Sequence, residues 1–318
     1  MSELLKNIDA RTKLAGTNKL EILLFDLGID PRTKRRETYG INVFKVREVM
    51  RTPSITAAPD MPKSVEGMVS LRGVLVPVID LAKYTGIIAD SPREILIVTE
   101  YAGHTQGFLV EGVDTILRLD WNKMRIPPEM LTAQTGGLVT AVTELEDGRL
   151  VMLMDVEKIL AETTTIENEI AFHGVVTVNQ PDCTVYFCDD SSVARRQIEK
   201  TLAAMGVRGV SAANGRLLWE ELEKTAAYAK GQGQKPSDII SVVLTDVEMP
   251  EMDGYILTKK MKSDQRFSDI PVIMHSSLSS MSNQQLGKSV GVDEYVPKFD
   301  PLKLSETLAR RLRERHKL

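Results

Sequence analysis

Cysteine is nearly absent: Cys183 and Cys188 are the only two in 318 residues. A lone pair makes no disulfide framework, and its spacing fits neither a zinc site nor a redox Cys-x-x-Cys. Both fall at or in an apolar run, so small buried hydrophobes are expected. Long apolar runs are missing too. No stretch reaches the ~18 residues that would mark a membrane span. The N-terminal MSELLKNIDARTKLAG lacks the apolar segment of ~7–15 residues that marks a secretory leader, so a cytoplasmic protein is expected. Neither sign of charge dominates. Lys and Arg number 40 against 44 Asp and Glu, a formal net charge of −4, which gives no general pull toward nucleic acid. The basic run from Arg310 to Lys317 reads as the solvated end of a helix, where cations complement the dipole. Histidine is scarce, with four in all. His104 is the only one before residue 162, and it sits in the turn-like AGHTQG. It forms no catalytic set with Asp26, Glu48 and Asp80, which are scattered among strands without metal-like grouping.

What is present reads as two domains, because the chain exceeds one comfortable core. Composition is ordinary for a globular protein, 42% hydrophobic and 26% charged. Residues 1–18 form an N-terminal tail with a short helix expected from Glu3 to Leu14, ended by Gly16. Its Leu4, Leu5, Ile8 and Leu14 suit docking. Residues 19–161 are strand-rich. LEILLFDL, YGINVFKV, GVLVPVIDL, EILIVTEY, TQGFLVEGV and RLVMLMDV are separated by Gly, Pro, Asp and Asn signals, as in a barrel or sandwich. YGINVFKVREVM reads as one amphipathic strand running into a turn. GVLVPVIDL is almost continuously apolar, as a strand buried on both faces would be. Residues 162–181 are polar and β-branched without a sustained period and read as a linker. From 182 to 318 strands alternate with helices, which argues for a parallel sheet. Helices are expected after Asp190 up to Gly206, near Leu217–Ala229, near Gly254–Lys262, near Asn283–Val290 and near Leu302–Arg313. Trp219 and Tyr228 read as packing residues, and His275 as a strand residue rather than a ligand.

In the last segment each apolar run ends in a polar residue: VYFCDD, VVLTD, VIMHSS and EYVPK. Ligand sites of open parallel sheets lie at the carboxyl ends of the strands. One cleft would therefore collect Asp189, Asp190, Asp246, Ser276 and Lys298. Adjacent aspartates raise each other's cost of ionisation, and a bound cation removes that penalty. Mg²⁺ prefers oxygen ligands and keeps several waters. The set therefore suits Mg²⁺ and a transferable phosphoryl group, with Asp246 as nucleophile. Lys298 would act as a point charge and Ser276 as a hydrogen-bond donor to the phosphoryl oxygens.

From about Thr184 onward these residues, with LTDVEMPEMDGY around Asp246, resemble a response-regulator receiver domain, an α/β fold with a doubly wound, flavodoxin-like five-stranded parallel sheet. The resemblance implies that Asp189 holds metal through water, that Asp190 binds it directly, and that the main-chain carbonyl of Glu248 is a further ligand. It implies Asp246 as phosphoacceptor, Ser276 as switch hydroxyl, Tyr295 as switch aromatic and Lys298 as the lysine. Two positions depart from the family pattern. Phe299 stands where Pro usually follows the lysine, and Ser276 stands where Thr is commoner.

In the strand-rich half, YGINVFKVREV followed by VEGMVSLRGVLVPVIDL resembles the CheW coupling domain of bacterial chemotaxis, an all-β pair of small barrels joined around a hydrophobic core. Family members link methyl-accepting chemoreceptors to the histidine kinase CheA. The resemblance puts partner contacts at Val46, Glu48, Gly67 and Arg72, although Ser70 replaces the usual Asn. Arg72 offers a bidentate contact to a carboxylate. A coupling domain fused to a receiver is the architecture of the CheV family. The expected function is a chemotaxis adaptor regulated by phosphorylation of Asp246, with CheA and chemoreceptors as partners, Mg²⁺ as cofactor and no enzymatic turnover beyond its own phosphoryl transfer. Two other readings stand beside it: a phosphate sink for the kinase, and a metal-dependent phosphatase. With the sequence ending at Leu318, no further helix-turn-helix segment is expected.

Overall fold

In a computed structural model, the residues described are 19–30, 32–57, 59–87, 93–101, 104–120, 123–128, 137–163, 174–180, 182–276 and 287–316. The helix expected from Glu3 to Leu14 lies outside them. The chain divides into a unit spanning Lys19–Thr164 and a unit spanning Thr165–Leu318.

The first unit is two small barrels. Strands β1 (Lys19–Ile29), β2 (Arg36–Asn42), β8 (Gly112–Asp120), β9 (Val139–Glu144) and β10 (Leu150–Met154) form one five-stranded sheet, ordered β8-β1-β2-β10-β9. Strands β3 (Val46–Arg51), β4 (Val65–Leu71), β5 (Val74–Asp80), β6 (Ile95–Tyr101) and β7 (His104–Val110) form the other, ordered β3-β6-β7-β5-β4. Each sheet closes through a single bridge: Thr56, beyond β3, pairs with Met68 of β4, and Arg125, beyond β8, pairs with Val142 of β9. Closure removes the exposed edges that an open sheet would leave. Period-two alternation sends Leu20, Ile22 and Leu24 into the first barrel, and Val76, Val78, Leu96 and Val98 into the second. Leu23 and Phe25 of β1, Ile97 of β6 and Phe108 of β7 lie on the opposite strand faces. They are also buried, because β1 and β7 lie against each other. Each such side chain contributes roughly 1.5–3 kcal/mol of transfer free energy. Helices α1 (Leu81–Thr85) and α2 (Val156–Thr163) add Leu81, Val156 and Ile159 to the buried set.

Two expected strands are in fact crossing points between the barrels. YGINVFKV breaks at Asn42, whose side chain accepts the Phe44 N–H at 3.0 Å and starts a 3₁₀ turn at Val43–Lys45. TQGFLVEGV breaks at Glu111, between β7 and β8. GVLVPVIDL is not buried throughout: Val74 and Leu75 are 46% and 68% exposed, Val76 is buried, Pro77 is half-buried, and continuous burial begins at Val78. Val74 and Leu75 follow the Arg72–Gly73 turn, where both residues have positive φ, 51° and 83°, as a tight hairpin requires. Strands β4, β8 and β9 are additional to the six strand-like runs of the sequence.

The second unit is a parallel sheet of β11 (Thr184–Cys188), β12 (Arg208–Ala212), β13 (Val242–Thr245), β14 (Val272–Ser276) and β15 (Glu294–Pro297), ordered β12-β11-β13-β14-β15. Helices α3 (Ser192–Met205) and α6 (Pro301–His316) bury Ile198, Leu202, Leu304 and Leu308 on one face. Helices α4 (Gly215–Gly231) and α5 (Gly254–Ser263) bury Leu218, Leu222, Leu257 and Met261 on the other. The helix bounds follow cap chemistry. Ser191 accepts the Ala194 N–H, and Gly206 ends α3 at φ 70°. Residues 287–290 are helical, and the rest of the helix expected near Asn283–Val290 lies outside the described residues. Cys183 and Cys188 are buried and free. Trp219 packs edge-on to Phe267 as expected, but Tyr228 is 63% exposed and is not a packing residue. Basic side chains of α6 are tied inward: Arg310 and Arg311 pair with Glu294, and Arg315 donates to the carbonyls of Asp269 and Ser237.

Candidate phosphoryl and metal site

The carboxyl ends of β11 and β13 deliver Asp189, Asp190 and Asp246 to one place, where one oxygen of each lies within 4.8 Å of the others. Lys298, just past β15, inserts between them. Its Nζ is 2.8 Å from Asp189 Oδ2 and 3.0 Å from Asp246 Oδ2. Asp189, Lys298 and Asp246 are 0%, 3% and 5% exposed, so the charges act with little water between them. Three carboxylates against one ammonium leave a formal charge of −2, which a divalent cation would balance. The donor set is all oxygen, and Asp190 stays half-buried at the rim. The residues present therefore fit a hard cation such as Mg²⁺.

The backbone around the site is held closely. Asp189 Oδ1 accepts the Ser191 N–H at 2.9 Å, and Asp246 Oδ1 accepts the Val247 N–H at 2.7 Å. The Cys188 thiol donates to Thr245 Oγ1 at 3.2 Å, and that hydroxyl donates to the Asp246 carbonyl at 2.9 Å. Burial pushes the Cys188 thiol well above its usual pKa, so it serves as a neutral packing group. Gly254 is required by close approach: a Cβ there would stand 2.0 Å from the Asp246 carbonyl oxygen. Asp253 caps α5 by accepting the Ile256 N–H at 2.7 Å, and burial pushes its carboxyl up to about 6.

Ser276 ends β14, 6% exposed, and its carbonyl accepts the Lys298 N–H at 3.4 Å. Glu248 lies half-buried in the loop after Asp246. Tyr295 is not brought into the carboxylate cluster. Its hydroxyl donates to Tyr255 Oη at 3.3 Å, and burial raises both phenols. His275 is a buried residue of β14. Phe299 takes φ 61°, a conformation closed to proline, so this lysine loop is built differently from a Lys-Pro loop.

Two holding residues escape a reading of the sequence alone. Arg195 Nη1 donates to the carbonyls of Asp189 and Asp190, at 2.7 and 3.0 Å, and fixes the turn that carries both carboxylates. The legible signal is a cation in the first turn of a helix, which the dipole disfavours unless it has a partner. Glu251, at φ 66°, accepts from Asn214 Nδ2 at 3.2 Å and Arg216 Nε at 2.5 Å, and so pins the loop that contains Glu248.

In the first unit the four residues anticipated as partner contacts have different environments. Arg72 is exposed, and its Nη2 donates to Glu48 Oε2 at 3.0 Å. Val46 is 1% exposed, so its side chain belongs to the core. Gly67, at φ 139°, sits in the seam of the second barrel, where a Cβ would lie 2.1 Å from the Thr56 carbonyl oxygen. Its need for glycine is met by barrel closure alone.

The CheW-like domain family matches residues 29–164, and the response regulator receiver domain family matches residues 185–309. The chain is 32% identical over 279 residues to the chemotaxis protein CheV3 of Helicobacter pylori, covering 86% of this chain and 88% of that protein. It is 27% identical over 320 residues to CheV1 of the same organism, covering 95% and 96%. The chemotaxis protein CheW of Klebsiella aerogenes is 32% identical over 168 residues, covering 51% of this chain and 96% of that protein. The chain belongs to the CheV family of chemotaxis proteins, with a CheW-like domain followed by a response regulator receiver domain.

Proposed function

We propose that this protein is a cytoplasmic adaptor of chemoreceptor arrays, coupling chemoreceptors to the histidine kinase CheA and regulated by phosphorylation of Asp246. Residues 19–161 form the coupling domain, 162–181 the connector and 182–318 the receiver. The observation that carries this reading is the buried cluster in which Lys298 bridges Asp189 and Asp246 beside Asp190.

An oxygen of the Asp246 carboxylate forms a bond to phosphorus as the phosphorus–nitrogen bond of the kinase's phosphohistidine breaks, and the electron pair stays on the imidazole. Asp190, Asp246 and the Glu248 carbonyl would hold Mg²⁺, with Asp189 reaching it through water. When bound, Mg²⁺ offsets the charge that develops on the transferred phosphoryl group. Lys298 follows the new charge with its ammonium, and Ser276 donates a hydrogen bond to a phosphoryl oxygen. Positioning and electrostatics account for the catalysis, so few residues suffice. The product carries about −1.5 to −2 of charge, by analogy with other phosphoryl groups. That charge draws Ser276 inward and repositions Tyr295. The protein's chemistry is confined to its own phosphoryl uptake and loss. Glu48 and Arg72 present the charged contacts of the coupling surface.

Incubation with phosphorylated CheA and Mg²⁺ tests the assignment. Transfer to the chain is expected, with loss on chelation and loss in Asp246→Asn. Labelling of Asp246→Asn at the parental rate overturns it.

A further inference from the structure

The segment ahead of β11 is seated in the second unit. Gly174 lies against Leu302, with a Cβ there 3.8 Å from Leu302 Cδ1. The Val176 N–H donates to Ser305 Oγ at 3.1 Å. The Val178 and Asn179 N–H groups donate to the Met205 carbonyl at 2.8 and 2.9 Å. Val175, Val176 and Val178 pack on the core that α3 and α6 cover, and all three are only partly buried. Asn179 turns the chain at φ 51°, against Gly206. Residues 174–179 thus run from the head of α6 to the foot of α3, along the groove between them.

The heads of those two helices are joined at the carboxylate cluster. Helix α3 begins just after Asp189 and Asp190, α6 begins just after Lys298, and the Asp189–Lys298 ion pair at 2.8 Å links the two. Between Lys298 and α6 stand Phe299, held at φ 61°, and Asp300, whose Oδ1 accepts the Lys303 N–H at 2.9 Å. Leu302 and Ser305, which touch the segment, stand in the opening turns of α6, so the head of that helix lies between Lys298 and the connector. Phe299 gives the junction a strained residue able to relax.

We propose that the α3–α6 groove is the docking surface for the chain's own connector, residues 174–180, and that phosphoryl uptake at Asp246 loosens that grip. The proposal rests on Asp246 being the acceptor. A phosphoryl group on Asp246 draws Lys298 away from Asp189, the heads of α3 and α6 lose their tie, and the Ser305 clip weakens. Partial burial of the valines keeps release within reach of a local opening. Release of 174–180 lengthens the tether between the two units by up to about 20 Å and changes the effective concentration of one at the other.

Amide hydrogen exchange of the full chain in Mg²⁺, with and without beryllofluoride, tests the coupling. The amides of Val176, Val178 and Asn179 are expected to exchange faster with beryllofluoride by on the order of tenfold, the weight of about one hydrogen bond. Ser305→Ala is expected to speed them without it. Fluorine NMR showing bound beryllofluoride with unchanged exchange overturns the connector proposal and leaves the acceptor assignment intact. No bound fluoride signal overturns the acceptor assignment and the proposal with it. Unchanged exchange in Ser305→Ala shows that the clip does not hold the segment, which also overturns the proposal.

Discussion

The second unit gathers Asp189, Asp190, Asp246 and Lys298 at one end of one sheet, three of them nearly out of water, whereas the first unit leaves Glu48 and Arg72 apart from any such cluster on a barrel surface. Chemistry on a phosphoryl group needs converging charges in low dielectric, so its residues sit at successive strand ends. Recognition of a protein partner needs exposed groups of ordinary kinds on a rigid frame. In the first unit, glycine and buried valine at motif positions serve that frame, as Gly67 and Val46 do. On the proposed function, motif positions supply chemistry in the second unit, while Gly67 and Val46 of the first unit are held by packing.

Gly67 separates a framework role from a contact role most sharply. If that glycine closes the barrel, Gly67→Ala costs about 3 kcal/mol of stability, since the new Cβ meets backbone at 2.1 Å. Urea unfolding measures it, and an undiminished midpoint with lost partner binding would make Gly67 a contact residue instead. Asp253 probes the electrostatics of the receiver. Burial holds its carboxyl at about 6, well above the ordinary carboxylate range, so the folded chain binds more protons than the unfolded one between about pH 4 and 6. Stability therefore falls as pH rises from about 4 to about 6. Asp253→Asn keeps an acceptor for the Ile256 N–H, removes that slope and gains up to about 3 kcal/mol above pH 6. Thermal unfolding across that pH range checks it, and an unchanged slope contradicts it.

Arg195 holds the turn that carries Asp189 and Asp190. Arg195→Gln and Arg195→Lys are both expected to weaken Mg²⁺ binding by about tenfold, because neither spans the carbonyls of Asp189 and Asp190 as the guanidinium does. Calorimetric titration with Mg²⁺ reads the change. A lowered melting temperature with unaltered Mg²⁺ affinity would reduce Arg195 to a structural role. Arg72→Glu is expected to change the fold least. Its exposed pair with Glu48 contributes under about 1 kcal/mol. Stability should stay within about 0.5 kcal/mol of the parent while capture by chemoreceptor or CheA weakens. Full capture by the variant argues against this face as the coupling surface.

Much of the receiver was legible because one rule, polar residues ending apolar runs, places Asp189, Asp190, Asp246, Ser276 and Lys298 together on a parallel sheet. Arg195 left only the weak signal of a cation in the first turn of a helix, because it works on backbone carbonyls, and the loop clamp of Glu251 leaves no residue pattern. In the barrels, the break at Asn42 was masked by Val43 and Phe44, which continue the apolar run through a 3₁₀ turn. Glycine and charged residues in VEGMVSL and GVDTILRLD obscured β4 and β8. The apolar start of β5 overstated burial, because Val74 and Leu75 open the strand just after a hairpin tip. Tyr228 shows the reverse error, an aromatic near the end of α4 left in solvent.

On the proposed function, phosphotransfer leaves an acyl phosphate on Asp246. Borohydride reduction of the chain after phosphotransfer, followed by peptide sequencing by mass spectrometry, locates an aspartyl phosphate as a homoserine. The expected result is reduction at Asp246 alone, and only when Mg²⁺ was present during transfer. Reduction at another aspartate, or a phosphorylated chain with none at Asp246, would contradict the account.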